Sequence, residues 1–196
     1  MAKVIALAGS PRKGGNTDTL LDAFIAGAKQ AGAQVELFQV RELNISPCIH
    51  CGSCDKAGIC IFKDDHPQLA KIIQSSDIFV FSSPVFFCGY PAISKAFIDR
   101  FQAYWVRRYE LGTLTQPGPK GFLLSVGGSR GLKIFDGLTM TFKYLMHSLN
   151  GKVDQRLVYP EVDALGEIEK HPTALEEAQK AGYSKIATLV AAERKE

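Results

Sequence analysis

Lys3-Val4-Ile5-Ala6-Leu7-Ala8 runs directly into Gly9-Ser10-Pro11-Arg12-Lys13-Gly14-Gly15-Asn16-Thr17, and this stretch decides the fold. The first six residues form a short apolar run of the kind buried on both faces of a parallel sheet. After Asn16, the residues Leu20, Leu21, Phe24, Ile25, Ala28 and Ala31 recur at helical spacing, and Gly32 supplies a natural stop. A buried strand therefore enters a helix through a loop of hydroxyls, glycines and the basic pair Arg12 and Lys13. Backbone amides at a helix start, together with a guanidinium, suit a phosphate group. The loop is not a Walker loop, because Gly15-Asn16 stands where Lys-Ser/Thr is required, and it lacks GxGxxG. A turn that merely caps the helix is the simpler alternative.

The rest of the chain repeats the alternation. Gln34–Val40 reads as a second strand and Pro67–Gln74 as a short helix. Ile78-Phe79-Val80-Phe81 reads as a third strand, and Pro91–Phe101 as a helix that buries Ile93, Ala96, Phe97 and Phe101. Gly121–Val126 is a fourth strand, followed by a helix over Leu132–Leu149 and a fifth strand over Gln155–Tyr159. A last helix opens at Pro172, carries Glu176 and Glu177 early, and ends with Arg194 and Lys195. Arg107–Lys120, with two prolines and two glycines, reads as a long loop. Five strands alternating with five helices predict an α/β fold: a flavodoxin-like, doubly wound, three-layer parallel sheet in the order 2-1-3-4-5. The 196 residues form one domain, with residues 44–66 as a cysteine-rich insertion after the second strand.

In such a sheet, ligands bind where the strand-to-helix loops meet at the carboxyl edge. Two more loops belong there. Ser82-Ser83-Pro84-Val85-Phe86-Phe87-Cys88-Gly89-Tyr90 offers Phe86, Phe87 and Tyr90 as walls for a flat apolar ring, or as plain core. Ser125-Val126-Gly127-Gly128-Ser129 offers paired glycines for close backbone approach.

The cysteines form a second signal. Cys48, Cys51, Cys54 and Cys60 follow a C-x2-C-x2-C-x5-C pattern. Three thiolates in so short a run can wrap one compact iron–sulfur cluster, and the fourth completes it; zinc and free thiols remain the alternatives. His50 reads as a bystander within the run. Asp64 and Asp65 read as solvated turn or cap residues. A formal net charge of +3 is too mild and scattered for a nucleic-acid surface. The apolar run at the start is too short for a signal core or a membrane span, so we expect a cytoplasmic protein with no membrane partner.

Ser10-x-Arg12 with Asn16-Thr17, Ser83–Phe87 leading into Lys95-Ala96-Phe97-Ile98-Asp99-Arg100, and Gly127-Gly128-Ser129 together resemble the NADPH-dependent FMN reductase group of the flavodoxin superfamily. The cysteine segment resembles its iron–sulfur flavoprotein branch. The resemblance runs from Lys3 to about Leu149. It implies that Ser10, Arg12, Asn16 and Thr17, with Lys13 beside them, hold an FMN phosphate. It also implies that Pro84, Val85, Phe86, Phe87 and Gly89 line the flavin, and that Gly127, Gly128 and Ser129 close its far side. Cys48, Cys51, Cys54 and Cys60 would hold a 4Fe–4S cluster. Cys88 departs from the family pattern and reads as a small buried hydrophobe. A flavin accepts a hydride and releases single electrons, whereas a cluster handles one at a time. Three functions follow as expectations: an NAD(P)H-dependent flavin or quinone reductase, an FMN and cluster electron carrier, and a zinc-bearing flavin-binding module. The partner is a small molecule or a redox protein, Arg107 and Arg108 being candidate guides for an acidic one. The family implies a homodimer or homotetramer, and Tyr104 and Trp105 would pack at a helix end or a subunit contact.

Overall fold

In the computed structural model, which describes residues 1–193, all five strands are parallel. They are β1 (Lys3–Ala8), β2 (Gln34–Gln39), β3 (Ile78–Pro84), β4 (Lys120–Gly127) and β5 (Lys152–Pro160), in the order β2-β1-β3-β4-β5. This is the flavodoxin-like arrangement, with the reversal of strand order between β1 and β3.

Alternation along β1 assigns its side chains to two cores. Val4, Ala6 and Ala8 face α1 (Asn16–Gln30) and the C-terminal helix, while Ile5 and Leu7 face the opposite layer. That second layer holds α2 (Asp65–Gln74), α3 (Ala92–Asp99), the single turn α4 (Gln102–Trp105) and α5 (Asp136–Ser148). α6 (Glu167–Lys170) and α7 (Ala174–Glu193) complete the first layer. α1 and α7 touch backbone to backbone through glycine. A Cβ on Gly27 would lie 1.9 Å from the Gln179 carbonyl oxygen, and one on Gly182 would lie 2.2 Å from that of Phe24.

Several boundaries differ from the sequence reading, each for a local reason. α2 starts two residues before Pro67, because the Asp64 side chain accepts from the His66 amide and caps it. α7 opens at Ala174 rather than Pro172, with His171 Nδ1 accepting from the amides of Thr173 and Ala174. Its expected end at Arg194 and Lys195 lies outside the described residues. α3 stops at Asp99, and α4 is a separate turn. The loop expected from Arg107 begins only after Glu110, since Val106–Glu110 forms a π-helical turn. α6 carries no apolar periodicity long enough to read from sequence.

Candidate functional site

Registered strand ends build the first cavity. Ala8 is level with Ser82 across β1 and β3, and Pro84 is level with Val126 across β3 and β4. The loops that follow therefore emerge side by side. Buried serines stitch them together. Ser82 Oγ donates to the Thr17 carbonyl at 2.7 Å, Ser94 Oγ to Gly9 at 2.7 Å, and Ser125 Oγ to Ser83 at 2.6 Å. Gly9 is required here, because a Cβ would come within 2.6 Å of both the Phe81 ring and Ser94 Oγ.

Between these loops lies a cavity of about 330 Å³. The first loop contributes Ser10, Arg12, Asn16 and Thr17, the second Pro84, Val85 and Phe86, and the third Gly127 and Gly128. Val162 and Asp163, beyond β5, supply a fourth side that the sequence reading missed, although the strand-edge rule points to that loop as well. α1 begins after Gly15 with no side-chain cap, so no side-chain acceptor takes the amides at its start, where Gly15, Asn16 and Thr17 line the cavity. Ser10 Oγ accepts from the Arg12 amide at 3.0 Å, which folds the loop around its own hydroxyl. The residue types fit a phosphorylated flavin: an uncapped helix start and a guanidinium for the phosphate, and Pro84, Val85 and Phe86 for an apolar ring.

Other expected contributors are engaged elsewhere or lie outside the lining. Asn16 lines the cavity, but its amide is engaged elsewhere: Nδ2 donates to Ala164 O at 2.8 Å, and Oδ1 accepts from Ile168 N at 3.4 Å. It ties the fourth loop to α1. Lys13, Phe87, Gly89 and Ser129 are not among the lining residues. Phe86 and Gly89 exchange two 2.9 Å backbone hydrogen bonds around a tight turn. Its two central residues, Phe87 and Cys88, both have positive φ, the I′ geometry that favours Asn-Gly. Phe87 is fully exposed, and Cys88 is exposed rather than buried, because the turn projects both outward. Tyr90 is no wall. Its ring is buried and stacked on Phe81, and burial raises its hydroxyl pKa far above the ordinary value.

Arg41, just past β2, was also missed. Its Nη1 donates to Ser10 O at 3.2 Å and Arg12 O at 3.4 Å, while Nη2 pairs with Asp18 at 3.0 Å. It braces the first loop from below.

The cysteine segment leaves β2 through Arg41 and returns at α2. Its two stems are stapled. Asn44 N donates to Asp65 Oδ2 at 2.7 Å, Asp65 N to Asn44 O at 3.1 Å, and Ser46 N to Asp64 Oδ2 at 2.9 Å. Arg100 locks both stems, with Nη1 donating to Ser46 O at 2.7 Å and to Asp64 at 2.6 Å. Asp64 is thus a cap residue, as expected, but a buried one and half of an ion pair rather than solvated. Burial pushes its carboxyl pKa up, and hydrogen bonds from Arg100 and the Ser46 amide more than offset this, leaving it lowered. Arg107 holds the far end of the segment through Nε to Gly58 O at 2.7 Å, and lies over the Tyr104 ring. Arg108 hydrogen-bonds Asn150. Both are half-buried and engaged within the chain. Tyr104 is buried, and Trp105 packs against Tyr109 with the rings tilted.

Cys48, Cys51, Cys54 and Cys60 line one cavity of about 230 Å³ and are not disulfide-bonded. Among the described residues, no three His, Cys, Asp or Glu side chains converge as ligands of a single ion. Four soft thiols lining one cavity are the ligand type that iron–sulfur clusters and zinc take. Hydrogen bonding to Ser53 lowers the Cys51 pKa, and burial, with Asp55 nearby, raises that of Cys54. His50 also lines the cavity and has positive φ.

A doubly wound sheet with a phosphate-type loop at its switch point defines the flavodoxin-like class of α/β proteins. The family model for NADPH-dependent FMN reductases matches residues 2–147, and the chain belongs to that family. An "Iron-sulfur flavoprotein" of Archaeoglobus fulgidus is 35% identical over 102 residues, 52% of this chain and 46% of that protein. A second of that name, from Methanosarcina thermophila, is 31% identical over 128 residues, 65% of this chain and 64% of that one. The match thus spans about half to two thirds of these relatives' length. The structure of an NAD(P)H:quinone oxidoreductase from Methanothermobacter marburgensis superposes with TM-score 0.73 at 19% identity, covering 92% of this chain and 94% of that one, a likeness of fold. Among the described residues no helix is long and apolar enough to cross a membrane.

Proposed function

We propose that this chain is a flavin-dependent oxidoreductase of one domain. It binds FMN between the first three loops and a 4Fe–4S cluster on Cys48, Cys51, Cys54 and Cys60. It moves electrons between NAD(P)H or a ferredoxin-like donor and a small acceptor such as a flavin, a quinone or an oxygen species. The cavity over the β1–β3 switch point carries this reading, because it joins a phosphate-type loop to apolar walls in a chain of the FMN reductase family.

Bound FMN supplies two-electron and one-electron chemistry. The protein's part is to bind and orient. Arg12 and the first-turn amides of α1 hold the phosphate, with Ser10 and Thr17 beside them. Val85 and Phe86 pack the ring, and Gly127 and Gly128 let backbone approach it. No side chain is assigned as acid or base. The thiol cavity and the names of the relatives support the cluster. The mild charge favours a small-molecule or protein redox partner over nucleic acid, and we place the protein in the cytoplasm as a homodimer or homotetramer.

The test is anaerobic purification followed by an absorption spectrum, with iron, sulfide and zinc measured on the same sample. Flavin bands with a broad thiolate-to-iron shoulder are expected. A colourless protein that refuses added FMN overturns the flavin reading, and zinc without iron or sulfide overturns the cluster. A non-enzymatic electron carrier is the second reading, favoured by the thiol cavity. Anaerobic NADPH oxidation with a quinone acceptor separates the two, since a pure carrier gives no turnover.

A further inference from the structure

A cation stripped of water lines the cavity that holds the four thiols. The Arg100 side chain is fully buried, and the Asp64 carboxylate paired with it is 7% exposed. Phe62 covers the guanidinium with its ring centroid at 4.7 Å. Two of the three nitrogens are used on Asp64 and Ser46, while Nε is buried with no acceptor. The same side chain lines the cysteine cavity together with Cys60. It is the one lysine or arginine among the described lining residues, and the carboxylates there, Asp55 and Glu110, are exposed.

Stability alone does not account for this arrangement. A buried ion pair is often no better than apolar packing of the same volume, and an orphaned donor makes it worse. An anion held in the adjoining thiol cavity supplies the missing term. Thiolates bound to an iron–sulfur cluster carry net negative charge, and each electron taken up adds one more. A fixed positive charge in a low-dielectric wall favours the reduced state.

We propose that Arg100, tethered by Asp64, is the counter-ion of the cysteine site and raises the reduction potential of the cluster held there. The inference rests on the cluster reading above. Arg100 acts as a positioning and charge-compensating residue, not a ligand. Asp64 fixes its direction, and the chain segments on either side of the cysteines are held by the same pair.

The test uses the full chain, reconstituted anaerobically with iron and sulfide, with bound FMN measured as a control. Arg100→Met combined with Asp64→Asn removes both charges and leaves no lone carboxylate. The double variant is expected to bind FMN and to retain a cluster whose one-electron reduction equilibrium has fallen at least tenfold, about 59 mV, in a titration followed by electron paramagnetic resonance. A structural clamp alone would lower iron content and leave the potential of the remaining clusters unmoved, and that result overturns the proposal. If the double variant holds no iron, Arg100→Lys decides. A lysine protein with cluster and near-native potential supports a charge role, and one with a tenfold fall or no iron overturns it. Wild type that takes up FMN but no iron or sulfide overturns the cluster reading and this inference with it. An unchanged potential in an iron-loaded variant overturns this inference alone.

Discussion

The two candidate sites are built on opposite plans. The flavin cavity rests on strand ends in register, with three buried serines as stitches and the Arg41–Asp18 pair as one brace among many contacts. The cysteine segment has no regular structure of its own until α2, and two arginines from the far side of α3 hold it. A sheet edge is specified locally and redundantly, so the loss of one contact is shared. A segment stapled by one buried ion pair concentrates its stability in a few atoms, and removing either partner leaves a bare charge.

That contrast breaks most sharply at Arg100. Arg100→Met is expected to cost about 3–5 kcal/mol by chemical denaturation, because Asp64 stays buried and unpaired. A loss below about 1 kcal/mol would mean that water reaches the pair. His66 gives the next effect. It is buried between Phe97 and Phe101, and burial, with the nearby Arg100 charge adding, pulls its pKa down to about 4. The folded chain thus holds it neutral, while the unfolded chain takes up a proton below about 6.5. Stability should fall by about 3 kcal/mol as pH drops from about 6.5 to about 4, and stay flat above. The lowered Asp64 pKa places its own loss at still lower pH. Denaturation midpoints across that window check this, and His66→Leu should remove the slope.

On the flavin side, the largest single effect belongs to a charge rather than to the stitching. Arg12→Ala should weaken FMN binding by about 2 kcal/mol, roughly thirtyfold, and leave riboflavin binding unchanged, as calorimetric titration of both ligands would show. Equal losses for the two would place Arg12 away from the phosphate. The smallest effect is at the turn beside the cavity. Phe87→Asn with Cys88→Gly should raise stability by about 1–2 kcal/mol in thermal melts, since it relieves two side chains held at positive φ. A destabilised double variant would show that the aromatic tip packs on something.

The flavin side was the legible one. Continuous apolar runs and helical spacing after Asn16 set β1, α1 and the strand order, and loops at one sheet edge follow from that order alone. Particular roles within those loops were less visible. The family resemblance implies Asn16 as a phosphate ligand, and its side-chain amide also binds a loop almost 150 residues away, which no local pattern shows. Tyr90 looks like a wall and is core, because only the turn geometry decides which of three neighbouring aromatics points inward. On the cysteine side the ligands were plain, but their supports were not. Arg100 falls on the apolar stripe of its helix, three residues after Phe97, and a charge there is a sign of a buried partner. Its partner Asp64 lies in another element, and no local pattern connects the two. Arg41 and Arg107 act across similar distances in the chain, which spacing cannot reveal.

The central claim is that the loops after β1, β3 and β4 make a cradle for FMN. Titration of the protein into FMN, followed by flavin fluorescence, tests it most directly. The account predicts saturable quenching with an end point of one FMN per chain. Fluorescence that never saturates, or that falls no further than with an unrelated protein, would contradict it.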